Sequence, residues 1–531
     1  MKAALDRNDL PLAMTLAGRA IDAGAEDSLV FNVAAHGLQM ERRYSQAMDL
    51  LVRASRLTPN DPYVMISIGQ LLSQQGRFEE AERPLRSALS INPDLPAALQ
   101  GLGVILDLRD DPEAARRCFE HAMRVAPEFP DPVGCLALQA LARKDFVAAE
   151  ALARKALALD PRETSGLIAL AHLDREAGQL ADAEAHARAA LAKGEMPPLH
   201  ESSVWRLLGD ILDDAGRFED AFAAYDAGNQ LFRRTYTPKI DERNIGPGVD
   251  FVQRLQRDFD ARRDADWSAA AIGRGPDEPR VHVFLAGYFR SGTTLLEQIL
   301  ASHPEVEAME ERTILDDVAW PFFSTADGLD RLAALTAQEA EELRAEYWRR
   351  IALTGQPVGD GVFVDKLPFA ALWSPFIAKV FPEAKILWAR RDPRDVVLSC
   401  FRTRFRAGPL QLEMADIERG AMLYAAMMSL FEAYFERLPL ARHVLRHEAL
   451  VSDFDAEIES ACGFLGIEMH PRMREFAETA KHRNVRTPSA RQVVQGLNNR
   501  GVGRWRAYAK GLAPALSILR PWVERYRYPA E

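Results

Sequence analysis

From Tyr63 to Pro96 the chain reads YVMISIGQLLSQQGRFEEAERPLRSALSINPDLP, and its apolar residues recur at steps of three and four on both sides of Gln75-Gly76-Arg77. That period predicts a helix, a turn and a second helix. Gly69, Ala81 and Ala88 are small, which lets the two helices approach closely, and Asn92-Pro93 stops the second one. The same pattern returns at a fixed interval: Pro59, Pro93, Pro127 and Pro161 are 34 residues apart, as are Ala13, Ala47, Ala81, Ala115, Ala149 and Ala183. Tyr44, Phe78 and Phe146 each precede one of those alanines by three residues, with Pro112 once in that place. Independent columns in one frame indicate a repeat array rather than an ordinary helical bundle. The units run 29–62, 63–96, 97–130, 131–164, 165–201 and 202–235, the fifth being three residues longer around Met196-Pro197-Pro198.

The pattern then changes. Residues 236–280 read as a connector: a turn-rich TPKIDERNIGPGVD, a short helical stretch in FVQRLQRDFDARRDA, and the loop AIGRGPDEPR. Val281 to Leu285 is a short apolar run suited to a buried parallel strand, and Thr294 to Ala301 has helical periodicity. Lys385 to Ala389 and the short apolar run just before Lys366 read as further strands, and Val396 opens another helix. The expectation is an all-α first domain over 1–235 and an α/β domain over 281–531.

The repeat resembles the tetratricopeptide repeat, with Gly69, Gly76, Phe78, Ala81 and Pro93 in matching positions and Ile68 where leucine is usual. This resemblance implies a superhelix of about six repeats plus a partial N-terminal one, whose concave face binds a peptide or protein segment. Ala13 sits where the second helix of a repeat would carry it, with only twelve residues before it. Either a half repeat caps the array or the true start lies upstream.

Composition narrows the function classes. At 531 residues the chain exceeds what one hydrophobic core serves, and its formal charge of −11 excludes a generally basic nucleic-acid or membrane-surface binder. The imbalance is local: residues 1–235 hold 26 Lys+Arg against 35 Asp+Glu, and the remainder holds 40 against 42. An anion pocket in the second half is therefore compatible with the net charge. Cys118, Cys135, Cys400 and Cys462 form neither a CxxC pair nor a close cluster, which points to no zinc site, no disulfide framework and a reducing compartment. Acids at Asp6 and Asp9 occupy the place of a signal peptide's apolar run, and no stretch approaches a membrane span. A cytoplasmic protein is expected.

The candidate chemistry begins at GYFRSGTT, residues 287 to 294, between the first strand and its helix. Strand, glycine-bearing loop and helix N-terminus together aim backbone N–H groups and the positive end of a helix dipole at an anion. Gly287 and Gly292 have the spacing of GxxxxGK[ST], but Thr293 stands where the lysine belongs, which argues against ATP or GTP turnover. Arg290 supplies a cation inside the loop instead.

This loop, with an arginine two positions before the second glycine and Thr-Thr after it, resembles that of the sulfotransferases using 3′-phosphoadenosine 5′-phosphosulfate (PAPS). RSGTTLLEQILASHPEV is similar to bacterial members and to the protein-tyrosine sulfotransferase branch. That resemblance implies a three-layer, P-loop-like domain with a central parallel sheet, and donor binding by Arg290, Ser291, Gly292, Thr293 and Thr294. In AKILWARRDPRDVVLSCF, Arg391 and Ser399 match the family's pair for the 3′-phosphate, with Arg390 leaving the register ambiguous by one. TPSARQVVQGLNNRGVGRWRAY resembles the donor-covering C-terminal loop, so that Ser489, Arg504 and Trp505 take its serine, basic residue and tryptophan, with Arg500 a further candidate for the 3′-phosphate.

Sulfuryl transfer to a hydroxyl needs a base for the acceptor proton and positive charge for the leaving phosphate, and in principle no metal. The resemblance implies Glu311 as that base, with Glu310 as a rival, provided the fold buries it enough to raise its pKa. His303, His447 and His482 are alternative bases, His303 reading more simply as a packed residue behind the helix. Lys366, after a short apolar strand, matches a lysine that contacts the donor's bridging oxygen. His447-Glu448 stands where relatives carry Tyr-Glu near the adenine.

The expected activity is sulfuryl transfer from PAPS to a hydroxyl acceptor, releasing adenosine 3′,5′-bisphosphate, with the repeats recruiting an acceptor or partner protein. A peptide tyrosine is one acceptor class, sugars, lipids and small molecules others. A homodimer is left open and nucleic acid is not expected. The alternative from another class is a repeat-scaffold adaptor whose nucleotide-binding domain has lost turnover, for which Phe289, Glu310 and Gly496 are the departures from the family pattern. An ATP-dependent kinase is opposed by Thr293.

Overall fold

Glycine and its partner sixteen residues later set the geometry of the first half in a computed structural model of the chain. A Cβ on Gly69 would lie 2.6 Å from Leu85, on Gly103 2.5 Å from Phe119, and on Gly209 2.6 Å from Tyr225. Each glycine lets one large side chain of the facing helix lie against bare backbone. The structure describes the whole chain apart from residues 8, 193–195, 242–247, 269–272, 276–277, 483–492 and 494–495 and the side chains of 239–241 and 482.

Two compact units result, Met1–Thr235 and Tyr236–Glu531. The first is built of helix pairs: Ser28–Met40 with Tyr44–Leu57, Pro62–Gln74 with Phe78–Ile91, Pro96–Leu108 with Pro112–Val125, Pro130–Ala142 with Phe146–Leu159, and Thr164–Glu176 with Leu180–Ala192. Pro198–Asp214 and Phe218–Asp241 follow, and Lys2–Leu5 with Leu10–Asp22 open the array. Proline at the first helical position of Pro62–Gln74, Pro96–Leu108 and Pro130–Ala142 gives up an N–H that has no intrahelical partner there. The column Ala13, Ala47, Ala81, Ala115, Ala149 and Ala183 is fully buried. Small side chains recurring every 34 residues are thus the seam along which the helices pack.

The second unit is a five-stranded sheet in the order β2-β3-β1-β4-β5, with β1 Val281–Gly287, β2 Val306–Glu310, β3 Val362–Lys366, β4 Lys385–Arg390 and β5 Ala441–Arg446. Every pairing is parallel. Side chains alternate between two buried faces, which is why these strands read as apolar runs. Val283, Leu285, Val364 and Leu387 pack beneath the helices Thr293–Leu300 and Phe454–Leu465, through Leu296, Ile299, Ile458 and Leu465. On the other face an aromatic layer forms: the Phe284 ring lies 5.7 Å from Phe381, Tyr347 5.0 Å from Phe381, and Trp388 5.0 Å from Phe431. Helix, sheet and helix make three layers around a parallel sheet.

Much of the segment read as a connector is integral to this unit. The helix Gly248–Asp260 buries Val252, Leu255 and Phe259, and the Phe259 ring meets Tyr434 edge-on at 4.7 Å. Arg437 lies 3.9 Å over the same ring and donates to the Arg262 carbonyl at 2.9 Å. The amphipathic spacing of those apolar residues was visible in the sequence, but not the surface awaiting them.

The chain steps from β1 outward to β2, returns by β3, then crosses β1 to β4 and β5. Connections leaving β1 and β4 therefore diverge at the carboxyl ends of these strands, the place where ligands of open α/β sheets bind.

Candidate active site

Gly287, Glu310, Lys366 and Arg390 are the last residues of β1, β2, β3 and β4, so one edge of the sheet collects the candidate chemistry. Leaving β1, the loop turns sharply: Arg290 has φ +66° and Gly292 φ +106°, both in the left-handed region. A non-glycine residue there costs free energy, and such positions concentrate at functional sites. A Cβ on Gly292 would come within 3.1 Å of His447 Nδ1, so the glycine is needed for clearance as well as for φ. Ser291 donates to the Tyr288 carbonyl at 2.7 Å, closing the turn, and Ser291, Thr293 and Thr294 are buried at the helix start.

Arg290 points toward the helix Pro393–Arg402, where its Nε donates to Ser399 Oγ at 3.0 Å. Arg391 Nη1 donates to the Arg290 carbonyl at 3.0 Å, and its Nη2 to that of Gly501. Both partners are neutral carbonyls; the Asp395 carboxylate feels the Arg391 charge, and the buried Arg391 Nε has no hydrogen-bond partner among the described residues. Burial, with the Arg391 charge behind it, lowers the Arg290 guanidinium to about 10. His447 is held to about 3 by burial and by the charges of Arg391 and Arg290, so its ring is neutral, and its Nδ1 has no hydrogen-bond partner among the described residues. Loop, helix N-terminus and two adjacent guanidinium groups are thus brought together, an arrangement whose chemistry suits an anion.

Arg390 goes elsewhere. Its guanidinium lies 3.9 Å over the Tyr526 ring and 3.8 Å from Glu432. Of the two arginines, Arg391 is the one bonded to the loop after β1.

The C-terminal segment is tied to the site by a residue that sequence reasoning did not single out. Asp395 accepts from the backbone N–H groups of Gly503 at 2.7 Å and Trp505 at 2.8 Å. Arg394, paired with Asp392 at 2.7 Å, stacks 3.9 Å over the Trp505 ring. Arg504 is half-buried and Arg500 exposed, and the Gly501 carbonyl between them accepts from Arg391. Ser489 lies outside the described residues.

At the β2–β3 edge, Lys366 is 0% exposed and its Nζ lies 2.8 Å from Glu311 Oε1, 3.3 Å from Glu297 Oε2 and 3.9 Å from Glu310 Oε1. Glu311, at φ +35°, also donates its N–H to the Lys366 carbonyl at 2.9 Å. Both glutamates of the ambiguous pair reach the lysine, Glu311 the more closely. The burial expected of Glu311 is not found: its side chain is 33% exposed and its carboxylate is ion-paired. Glu297, fully buried on the first helix, went unnoticed because a lone carboxylate in TLLEQIL carries no signal of its own. His303 is structural, bonding the Glu468 carbonyl at 2.9 Å and accepting from the Glu305 N–H at 3.1 Å. The His482 side chain is outside the described set.

A sulfotransferase family model matches residues 282–471, and tetratricopeptide repeat models match 63–92 and 168–230. The chain is a tetratricopeptide-repeat array followed by a sulfotransferase domain. Relatives include an uncharacterized protein of Aquifex aeolicus, 26% identical over 48% of this chain and 35% of its own length. Protein-tyrosine sulfotransferase 1 of Danio rerio is 30% identical over 22% of this chain and 34% of its own, and protein-tyrosine sulfotransferase 2 of Gallus gallus 32% over 22% and 33%. The chain spans about a third of the length of each of these relatives. The family match covers β1 to β5, and so includes the phosphate loop, Glu311, Lys366 and Arg391 of the sulfotransferase domain; the C-terminal segment held by Asp395 lies beyond it. Among the described residues of either part, no helix is long and apolar enough to cross a membrane.

Proposed function

We propose that the sulfotransferase domain uses PAPS as donor and transfers its sulfuryl group to a hydroxyl, releasing adenosine 3′,5′-bisphosphate. The supporting observation is the half-buried Arg290 beside the buried Arg391, at the loop that opens the helix Thr293–Leu300. The Arg391 charge adds to burial in disfavouring the Arg290 guanidinium, and a phosphate dianion beside it relieves that repulsion. The unpartnered Arg391 Nε and the neutral His447 Nδ1 are available to the same ligand. A donor with phosphates at both 3′ and 5′ matches a site with cations on the loops after both β1 and β4, and Thr293 in place of a lysine fits a nucleotide lacking a γ-phosphate.

In this reading the acceptor oxygen attacks sulfur as the bond from sulfur to the bridging phosphate oxygen breaks. The bond's electron pair leaves on the bisphosphate, and the acceptor proton passes to Glu311. Lys366 neutralises the bridging oxygen, and Arg290 the 5′-phosphate. Glu311 and Lys366 exchange their mutual ion pair for these roles. Ser399, bonded to Arg290, acts on the donor by orienting that arginine as well as by its own hydroxyl. Ser489, Arg500 and Arg504 are assigned to donor covering on the family resemblance. The repeat array binds a protein or peptide partner and so brings an acceptor, with a tyrosine hydroxyl favoured by the named function of the vertebrate relatives.

Calorimetric titration tests the donor assignment. Adenosine 3′,5′-bisphosphate is expected to bind at least ~10-fold more tightly than AMP or ATP; equal affinity for AMP would remove the basis for a 3′-phosphate site.

A further inference from the structure

Lys366 poses an electrostatic problem that the reaction proposed above makes acute. A wholly buried ammonium is costly unless paired. Glu311 is its closest partner at 2.8 Å, yet Glu311 must turn to the acceptor hydroxyl, and Glu310 at 3.9 Å is 22% exposed. Glu297 differs from both. Its side chain is 0% exposed, its Oε2 lies 3.3 Å from Lys366 Nζ, and its Oε1 accepts from Gln298 Nε2 at 3.2 Å. It sits four residues after Thr293 and three after Thr294, one turn into the helix that carries the phosphate loop, and all three are buried.

We propose that Glu297 is the positioning residue for Lys366, the fixed internal counter-ion that holds the ammonium in register with the phosphate loop while Glu311 leaves it for the acceptor. The inference rests on the reaction assigned under Proposed function. Glu297 touches neither donor nor acceptor; it acts through Lys366, and it couples the end of β3 to the helix after β1. The same helix thereby anchors the donor's phosphate at its N-terminus and the lysine near the bridging oxygen one turn on. The charged groups facing the ammonium are Glu297 from the helix and Glu310 and Glu311 from the end of β2; Asp365, its neighbour on β3, points to the other face, where it accepts from Tyr347, and acts on the lysine only through space.

The test uses the full chain with Glu297→Gln and Glu297→Asp. Removing the anion destabilises the lysine's charged form, so in Glu297→Gln the alkaline limb of the kcat profile moves to lower pH by about 1–3 units. The value of kcat falls at least ~10-fold while acceptor KM and bisphosphate affinity stay within ~3-fold. Glu297→Asp keeps the charge, so its kcat falls with the alkaline limb unmoved; it also carries the test where the glutamine variant fails to fold. A glutamine variant with wild-type kcat and pH profile overturns the proposal, as does an equal loss in both variants with no movement of the limb, or wild-type kcat in the aspartate variant. Lysine labelled with carbon-13 at Cε reads the Lys366 titration by NMR without any turnover. If the wild type transfers no sulfuryl group, the reaction assignment fails, and the NMR midpoint still decides whether Glu297 sustains the Lys366 charge: a drop in Glu297→Gln supports it, no change rejects it.

Discussion

Arg290 and Ser399, 109 positions apart in the chain, are joined by a 3.0 Å hydrogen bond from guanidinium to hydroxyl. The bond ties the phosphate loop after β1 to the helix after β4. Arg290→Ala removes both this tie and a cation of the proposed donor site. Charge-assisted hydrogen bonds contribute about 1.5–3 kcal/mol, so calorimetry should show a ~10- to 100-fold loss of bisphosphate affinity. Unchanged affinity would place the anion elsewhere.

Gly292→Ala is expected to damage the same loop by shape alone. The φ of +106° penalises any Cβ by about 1–2 kcal/mol, and the added carbon meets His447 Nδ1 at 3.1 Å. Thermal melting should fall by a few degrees and bisphosphate affinity by ~10-fold. A variant that matches wild type in both would mean that the loop can relax freely.

Asp395→Asn is expected to loosen the C-terminal segment, because a neutral amide replaces the carboxylate that accepts from the N–H groups of Gly503 and Trp505. Proteolysis near 500–505 should accelerate, and bisphosphate should slow it less than in wild type. Cleavage at the wild-type rate would show that the anchor lies elsewhere, for instance in the stacking of Arg394 on Trp505.

Stability should fall between about pH 4 and 7 through Asp365. Burial raises this carboxyl to about 7, although the Tyr347 hydroxyl donating to it at 2.7 Å acts the other way. The unfolded residue titrates near 3.9, so across that window the folded chain binds the extra proton, and folding stability is present below pH 4 and lost as pH rises to 7. Glu163 in the repeat array, raised to about 7 by burial, adds to the same slope. Melting temperatures followed across this range should show a shallower decline in Asp365→Asn; an unaltered slope would assign the dependence to other groups.

The repeat register was legible because packing leaves a mark at every turn of the array: the alanine column is buried in each repeat, and the glycines face the large residue of the next helix. The strand, loop and helix around Gly287 were legible for a similar reason, since a sharp turn at a helix N-terminus constrains several residues at once. What was hidden depends on distant partners. Glu310 and Glu311 cannot be separated in the sequence because their difference is set by Lys366 on a neighbouring strand. Arg390 and Arg391 diverge only because Tyr526 and Glu432 wait for the first and the phosphate loop for the second. Glu297 and Asp395 meet partners 69 and 108 to 110 positions away, and local patterning carries no trace of that.

The measurement that bears most directly on the proposed activity follows label from [³⁵S]PAPS in a cell extract to which the purified chain is added. Label should pass to an acceptor with equimolar release of adenosine 3′,5′-bisphosphate. Glu311→Gln should lower this turnover by ~10²- to 10⁴-fold, the range of general base catalysis, while binding bisphosphate as wild type does. Tight bisphosphate binding with no labelled product across extracts and a broad acceptor panel, or full turnover persisting in Glu311→Gln, would contradict it.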